Sequence, residues 1–217
     1  VPGLTLSIVA LRSGGGAAPG KLLPFAFISG LAAYVVPNAI IFLAIPHIGS
    51  GLAGLMYALS PVVTAALSLV SGVRPPSRGL LLSVALGLAG AVLVITGRQS
   101  LAVSTAANWL LIALVVPLSL AIGNVYRTAY WPPGATPAQL AASSNLLAAP
   151  PLLAAAASTG GGGAAALLAP LAAQPWLVLA QCTASTVMFA LFFRLQWVGG
   201  PTYLSQISYV AAAVALA

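Results

Sequence analysis

Hydrophobic and polar positions alternate along this chain on the scale of whole helices. Two apolar runs, Gly49–Ser71 and Gly79–Gly97, flank a short basic turn, Arg74-Pro75-Pro76-Ser77-Arg78. Each run is close to the roughly 20 residues that an α-helix needs to cross a hydrocarbon core, so the pattern predicts a membrane hairpin. Before it, Val1–Leu11 is apolar but too short to span and is expected to be the tail of a helix that begins earlier. Arg12–Lys21 is expected to be a Gly-rich loop. Leu22–Pro46 then makes a crossing, with Pro24, Pro37 and Pro46 placed to bend it, and His47–Ser50 makes a tight uncharged turn.

After the hairpin, Arg98–Asn108 is expected to be a polar loop. Trp109–Trp131 is the next span, ending in Tyr126, Arg127, Tyr130 and Trp131, an aromatic and basic cluster of the kind that anchors at headgroup depth. Pro132–Thr136 is a turn, and Pro137–Ala157 is an alanine-rich span containing Pro150-Pro151. Ser158–Gln174 is loop, low in complexity at Gly160–Ala166. Gln174–Trp197 crosses again, and Gly200–Ala217 is a last span that runs to the end of the sequence. The pattern predicts eight apolar segments, six of them complete.

Composition explains why the pattern is so pronounced. The 217 residues are 61% hydrophobic and 3% charged, against about 25% charged in a soluble domain. That deficit leaves too little polar surface for water, so the lipid bilayer is the expected surrounding of most of the chain. There are seven Lys and Arg residues and no Asp or Glu. They are Arg12, Lys21, Arg74, Arg78, Arg98, Arg127 and Arg194, scattered near the ends of apolar runs, which argues for membrane flanks and against nucleic-acid binding. Strict alternation of the spans places all of them but Arg98 on one side, as the positive-inside rule requires.

The missing acids also remove chemistry. Paired-carboxylate catalysis and a Ser–His–Asp triad both need a residue type that the chain lacks. One His and one Cys fall short of a zinc ligand set. Gly20-Lys21 is followed by Leu22-Leu23, so no phosphate-binding loop forms there. No enzyme, no cofactor and no metal is expected. Cys182 has no disulfide partner and reads as a small packing residue. His47 reads as an interfacial histidine at the end of a span.

An internal correspondence appears when the chain is shifted by 150 residues. Phe42, Ile48 and Gly49 then fall on Phe192, Val198 and Gly199, and Met56–Val62 falls on Gln206–Ala212. In both places an apolar helix meets glycine and then a helix that opens with small and polar residues. Five crossings lie between the copies, so they would traverse the bilayer in opposite directions, as in transporters built from inverted repeats.

Polar residues inside spans are costly and should face other helices or a solute path. Tyr57, Ser60, Thr64 and Ser68 form a stripe at spacings of three and four, and Tyr203, Gln206 and Tyr209, with Ser205, form its counterpart. Asn38, Asn124 and Gln181 lie in other spans. Ordinary helix–helix hydrogen bonding is the expected role of Ser60, Thr64, Ser68 and Ser205. The bulkier Tyr57, Asn124, Tyr203, Gln206 and Tyr209 suit a solute path as well as a packing contact. Arg127 could hold a substrate carboxylate if it faced inward, but beside Tyr130 and Trp131 it is expected to snorkel to the headgroups, as is Arg194.

The run GLAGLMYALSPVVTAAL, followed by SGVRPPSRGLLLSVALGLAGAVLVITGR, resembles the EamA-type transporters of the drug/metabolite transporter superfamily. GGPTYLSQISYVAAA, at Gly199–Ala213, is similar to the matching element of their second half. The resemblance covers nearly the whole chain, from the family's second helix to its ninth of ten. It implies an all-α integral membrane bundle of inverted five-helix repeats, with residues 1–97 in one repeat, 98–108 as the connecting loop and 109–217 in the other. It also implies a bacterial plasma (inner) membrane, a small organic solute such as an amino acid, and export by alternating access. Two positions depart from the pattern: Val73 stands where the turn usually carries an acid, and Ala211 stands for a proline, which predicts a straighter final helix. The rival readings are a non-transporting membrane scaffold, whose polar stripe is only a packing seam, and a membrane-embedded lipid enzyme.

Overall fold

A computed structural model describes residues 19–97, 107–159 and 173–214. Every regular element among them is helical: α1 (Pro19–Gly30), a π-helical turn (Leu31–Val35), α2 (Val36–Ser71), α3 (Arg78–Gly97), α4 (Ala107–Ala113), α5 (Val115–Ala129), α6 (Pro137–Thr159), α7 (Pro175–Ser205) and α8 (Ile207–Val214). The expectations for Val1–Leu11, most of the Gly-rich loop with Arg12, Arg98 and most of its polar loop, Gly160–Ala166 and the last three residues lie outside the described residues. Pro19, Gly20 and Lys21, expected in the loop, instead open α1. A proline is well suited to that place, because the first turn of a helix has no use for its missing N–H.

Among the described residues, three stretches are long and apolar enough to cross a membrane: Gly20–Ser71, Asn108–Ala129 and Pro175–Ser205. The first, with 52 residues, joins two of the predicted spans. α6 was also predicted to span, but it carries Gln139, Ser143, Ser144 and Asn145 in its first half and does not reach the same apolar length.

The described residues fall into two compact units, one within Val1–Leu31 and Trp131–Trp197, the other within Ala32–Tyr130 and Val198–Ala217. The units interleave along the chain. They divide it by packing, which is a different matter from the sequential repeats expected at 1–97 and 109–217.

In the first unit α1 packs on α6 through small residues. A Cβ on Gly30 would lie 3.0 Å from the backbone oxygen of Ser144 and 3.4 Å from the Ala148 Cβ, so glycine sets the approach. α6 begins with a reciprocal cap: the Thr136 hydroxyl accepts from the Gln139 N–H and the Gln139 side chain accepts from the Thr136 N–H, both at 3.2 Å, with Pro137 as first residue. Trp131, expected as a headgroup anchor, donates from Nε1 to the Ala135 carbonyl at 3.1 Å and packs among Phe25, Phe193 and Trp197.

In the second unit α2 is not one rod. Gly49 has φ 75° and ψ 163° within the run. Ala33 meets Gly123 of α5, and Thr64 meets the adjacent Asn124. Unbroken helix from residue 33 to residue 64 would hold the two about 46 Å apart. Their meeting at one place on α5 means that the chain doubles back at Gly49, where the sequence predicts the turn His47–Ser50. Ile41, Ala44, Ile48, Ala53 and Met56 from the two arms, with Ala113 and Val116, make the apolar core around this reversal. His47 stacks on Trp109 at 4.1 Å.

α2 and α3 form the two helices predicted on either side of the basic turn, although Arg78–Gly90 of α3 is a shorter apolar stretch than the spans above. Gly72 closes α2 in the left-handed conformation, and the Ser77 hydroxyl caps α3 by accepting from the Leu80 N–H. α7 has a break like that of α2, at Gly200 (φ 76°, ψ −174°). Arg74 lies over this break, and its Nη1 donates to the Val198 carbonyl at 3.2 Å. A cation there answers carbonyls that a helix C-terminus leaves exposed. Beyond the break, Thr202 donates to Ser68 at 3.4 Å, and Tyr209 reaches the Val84 carbonyl at 3.1 Å with its ring over Gly87. Residues 201–214 therefore run antiparallel to the second arm of α2 and in the same direction as α3.

The last helix runs unbroken through Ala211, over Ile207–Val214, but the final segment predicted at Gly200–Ala217 is not one continuous helix. It is interrupted at Gln206, between α7 and α8. Ser205 Oγ donates to the Thr202 carbonyl at 2.8 Å, the acceptor that the Gln206 N–H would use in an α-helix. The Gln206 N–H turns to Tyr203 instead, at 3.3 Å.

Gly49→Ala forces a Cβ into a positive-φ conformation and is expected to cost about 1–3 kcal/mol. Gly54→Ala, in regular helix with nothing within 4 Å of the added Cβ, is expected to gain about 0.5–1 kcal/mol. Unfolding both variants in detergent compares them, and equal shifts would remove the case for a reversal at Gly49.

Candidate functional site

The polar residues of the second unit gather where two irregular segments meet α5. The first irregularity is the π-helical turn Leu31–Val35. Pro37 has no N–H, so the Ala33 carbonyl loses its α-helical donor and the Ala32 carbonyl its π-helical one. Ser119 of α5 supplies a hydroxyl to the Ala32 carbonyl at 2.6 Å. Asn38 donates to the Tyr34 carbonyl at 2.7 Å, so this candidate serves the backbone of its own helix. One turn further along α5, a Cβ on Gly123 would lie 3.1 Å from the Ala33 Cβ.

Asn124 and Arg127 follow on the packed side of α5. Asn124 is 5% exposed and Arg127 0%. Arg127 Nη2 donates to Asn124 Oδ1 at 2.6 Å, and Asn124 Nδ2 lies 3.5 Å from the Thr64 hydroxyl. The Tyr34 phenol is within electrostatic reach of the guanidinium. The expectation that Arg127 snorkels to headgroups is thus overturned. Ser119, Gly123 and Arg127 form one stripe at intervals of four residues, and the packing that brings Gly123 onto Ala33 carries Arg127 inward. Lys21, Arg74, Arg78 and Arg194 are exposed, so among the described cations Arg127 alone is buried.

The second irregularity is the interruption at Gln206. In the antiparallel pair of α2 and the 201–214 segment, Ser68 meets Thr202. One turn along each helix then places Gln206 at the level of Thr64, the level of Asn124 and Arg127. Gln206 Nε2 is buried with no hydrogen-bond partner among the described residues.

The other candidates divide. Ser60 is 2% exposed, one turn from Thr64 on the same stripe. Tyr57 is half-buried and packs on the apolar core at the reversal. Tyr209 is tied to the Val84 carbonyl. Tyr203 is 50% exposed and lies against Gly199. Gln181 belongs to the other unit, where it is exposed and donates to Ser185 on its own helix at 3.3 Å. Thr64 and Ser68 take part in hydrogen bonds between helices, the role expected of them, whereas Ser205 bonds to Thr202 within its own segment.

Sequence reasoning missed Tyr34, Ser119, Gly123, Thr202 and the role of Arg74. The interval of four from Ser119 to Arg127 was the available signal for α5. The position of Arg74 against Gly200 had none, because it depends on a contact between distant segments.

Chemically the arrangement holds one fixed cation among neutral donors and acceptors. It can bind and orient, and among these residues there is no base of ordinary strength to accept a proton.

Asn124→Leu removes an acceptor from a buried cation and is expected to cost about 1.5–3 kcal/mol. Thr64→Val removes only a long contact and should cost less than about 1 kcal/mol. Chemical denaturation of the two variants tests this order, and a larger loss for Thr64→Val would show that Asn124 is not the principal support of Arg127.

Comparison with family models, with curated proteins and with solved structures finds no match to this chain.

Proposed function

We propose that the chain belongs to an integral membrane secondary transporter, of the EamA type that its sequence resembles. It moves a small organic solute, such as an amino acid or a related metabolite, across a bacterial inner membrane by alternating access. The observation that carries this reading is the coincidence at one level of a π-helical turn, an interrupted helix and a buried polar set, Thr64, Asn124 and Arg127. Broken helices around buried polar groups are how transporter folds expose backbone dipoles to a solute. A structural core has no need of both.

Two further features support it. The glycine breaks at Gly49 and Gly200 have nearly the same backbone conformation, and each leads from an apolar helix into one opening with small and polar residues. The two helices that follow them run antiparallel, as inverted repeats require. Large apolar side chains such as Phe42, Leu93, Leu179 and Val198 are exposed, which suits lipid as the surrounding solvent.

The Ser68–Thr202 contact also suits a scaffold, since hydroxyl pairs hold membrane helices together.

Counterflow in liposomes separates the readings. Vesicles carrying the protein and loaded with an unlabelled metabolite mixture are expected to accumulate labelled solute from outside, and vesicles without it are not. Absence of exchange across amino acids, organic acids, sugars and polyamines would leave the scaffold as the better account.

A further inference from the structure

Arg74 holds a backbone conformation that its own sequence opposes. Its φ is 44°, the only positive value at a non-glycine position among the described residues. A Cβ makes that region costly, and Pro75 pushes the residue before it towards extended backbone instead. Such a conformation persists where surrounding contacts hold it. One such contact is made by the side chain: Nη1 donates to the Val198 carbonyl at 3.2 Å, and Cδ lies 3.1 Å from where a Cβ on Gly200 would stand. Gly200 itself, at φ 76° and ψ −174°, occupies a region open in practice to glycine alone. Beyond it, residues 201–214 lie along α2 and α3. They are joined there by the Thr202–Ser68 hydroxyl pair at 3.4 Å and by Tyr209, which donates to the Val84 carbonyl at 3.1 Å. The segment is interrupted at Gln206, and its other side is exposed at Tyr203, Ile207 and Val210. All of these residues belong to one compact unit.

We infer that residues 201–214 form a movable strap hinged at Gly200, and that Arg74 is the latch that holds it closed on α2 and α3. The side chain reaches from the basic turn to the last carbonyls before the hinge, so it fixes the angle at which the strap leaves the helix before it. Closure keeps the Arg74 backbone strained, and opening relieves that strain once the guanidinium releases the Val198 carbonyl. The strain offsets part of the bond, which leaves the closed state reversible. Opening uncovers Ser68, which Thr202 touches, and then the level of Thr64 one turn further along α2. The strap thereby governs access to the polar set on α2 and α5. Passage of a solute through that opening rests on the transport reading, whereas the movement itself is measured without one.

Hydrogen–deuterium exchange of the full chain in detergent tests the latch, because a strap that opens locally exchanges its amides without global unfolding. Arg74 is exposed, so Arg74→Ala removes the tie without emptying a core. This variant should raise exchange of residues 204–212 at least tenfold over the parent, and that of residues 116–127 in α5 less than twofold. Gly200→Ala, which puts a Cβ where the closed strap needs glycine, should do the same with Arg74 in place. A rise at residues 204–212 no greater than that in α5, absence of any rise included, overturns the inference. Should Arg74→Ala fail to fold, the same comparison is read from Gly200→Ala. The transport reading stands or falls separately. A strap freed in these variants, with no counterflow of any solute by the parent, supports the latch and sinks transport. Counterflow by the parent with no selective rise in exchange sinks the latch and leaves transport standing.

Discussion

Backbone hydrogen bonding in apolar surroundings is the constraint on which this structure depends. With so few polar side chains and no acids, each N–H and C=O must find its partner within the chain, and helices provide that locally. The informative places are those where proline or glycine breaks the pattern. Pro37 frees carbonyls in the π-helical turn, and Ser119 reaches across to one of them. Gly200 ends a helix, and Arg74 meets the carbonyl of Val198. The Thr202 carbonyl is taken by Ser205, which shifts the Gln206 N–H and interrupts the helix. In each case a side chain takes over a duty that the backbone has given up.

The same constraint gathers the polar groups. A helix with an irregular turn exposes dipoles on one side, and its neighbour must answer them there. α5 does so with Ser119, then closes in through Gly123, and this approach draws Asn124 and Arg127 inward as the next positions on the same side. A buried arginine in a chain without carboxylates is thus a consequence of how two helices fit, and it gives the site its electrical character.

Arg74 shows how little the charge of a residue says about its task. Both arginines of the basic turn mark a flank of apolar helices, and both are exposed. Only Arg74 also binds a distant segment, where its side chain lies over Gly200. A lysine could carry the same charge to that flank, but its shorter, rounder head would present a different set of donors to the carbonyl.

The helical class, the α2–α3 pair of helices around the Arg74–Arg78 turn, and the turn near Gly49 were legible in the sequence. They follow from local physics: apolar run length, proline at helix starts, and glycine where φ must be positive. The stripe of Tyr57, Ser60, Thr64 and Ser68 was legible for the same reason, since period alone sets a helix face. What period cannot give is the partner of that face. Arg127 beside Tyr130 and Trp131 reads as a snorkelling residue until Gly123 is seen against Ala33. Gly200–Ala217 reads as one span until Ser205 is seen bonded to the Thr202 carbonyl and the Gln206 N–H to Tyr203. Gln181 and Asn124 look alike as polar residues within apolar spans, yet one is exposed on its helix and the other is buried against Arg127. The sequence by itself determined most of the helical segments and the reversal near Gly49, because those depend on neighbours along the chain. Which polar groups meet, and therefore where a charge is buried, only the tertiary structure decided, because that depends on segments far apart in sequence coming within hydrogen-bond reach.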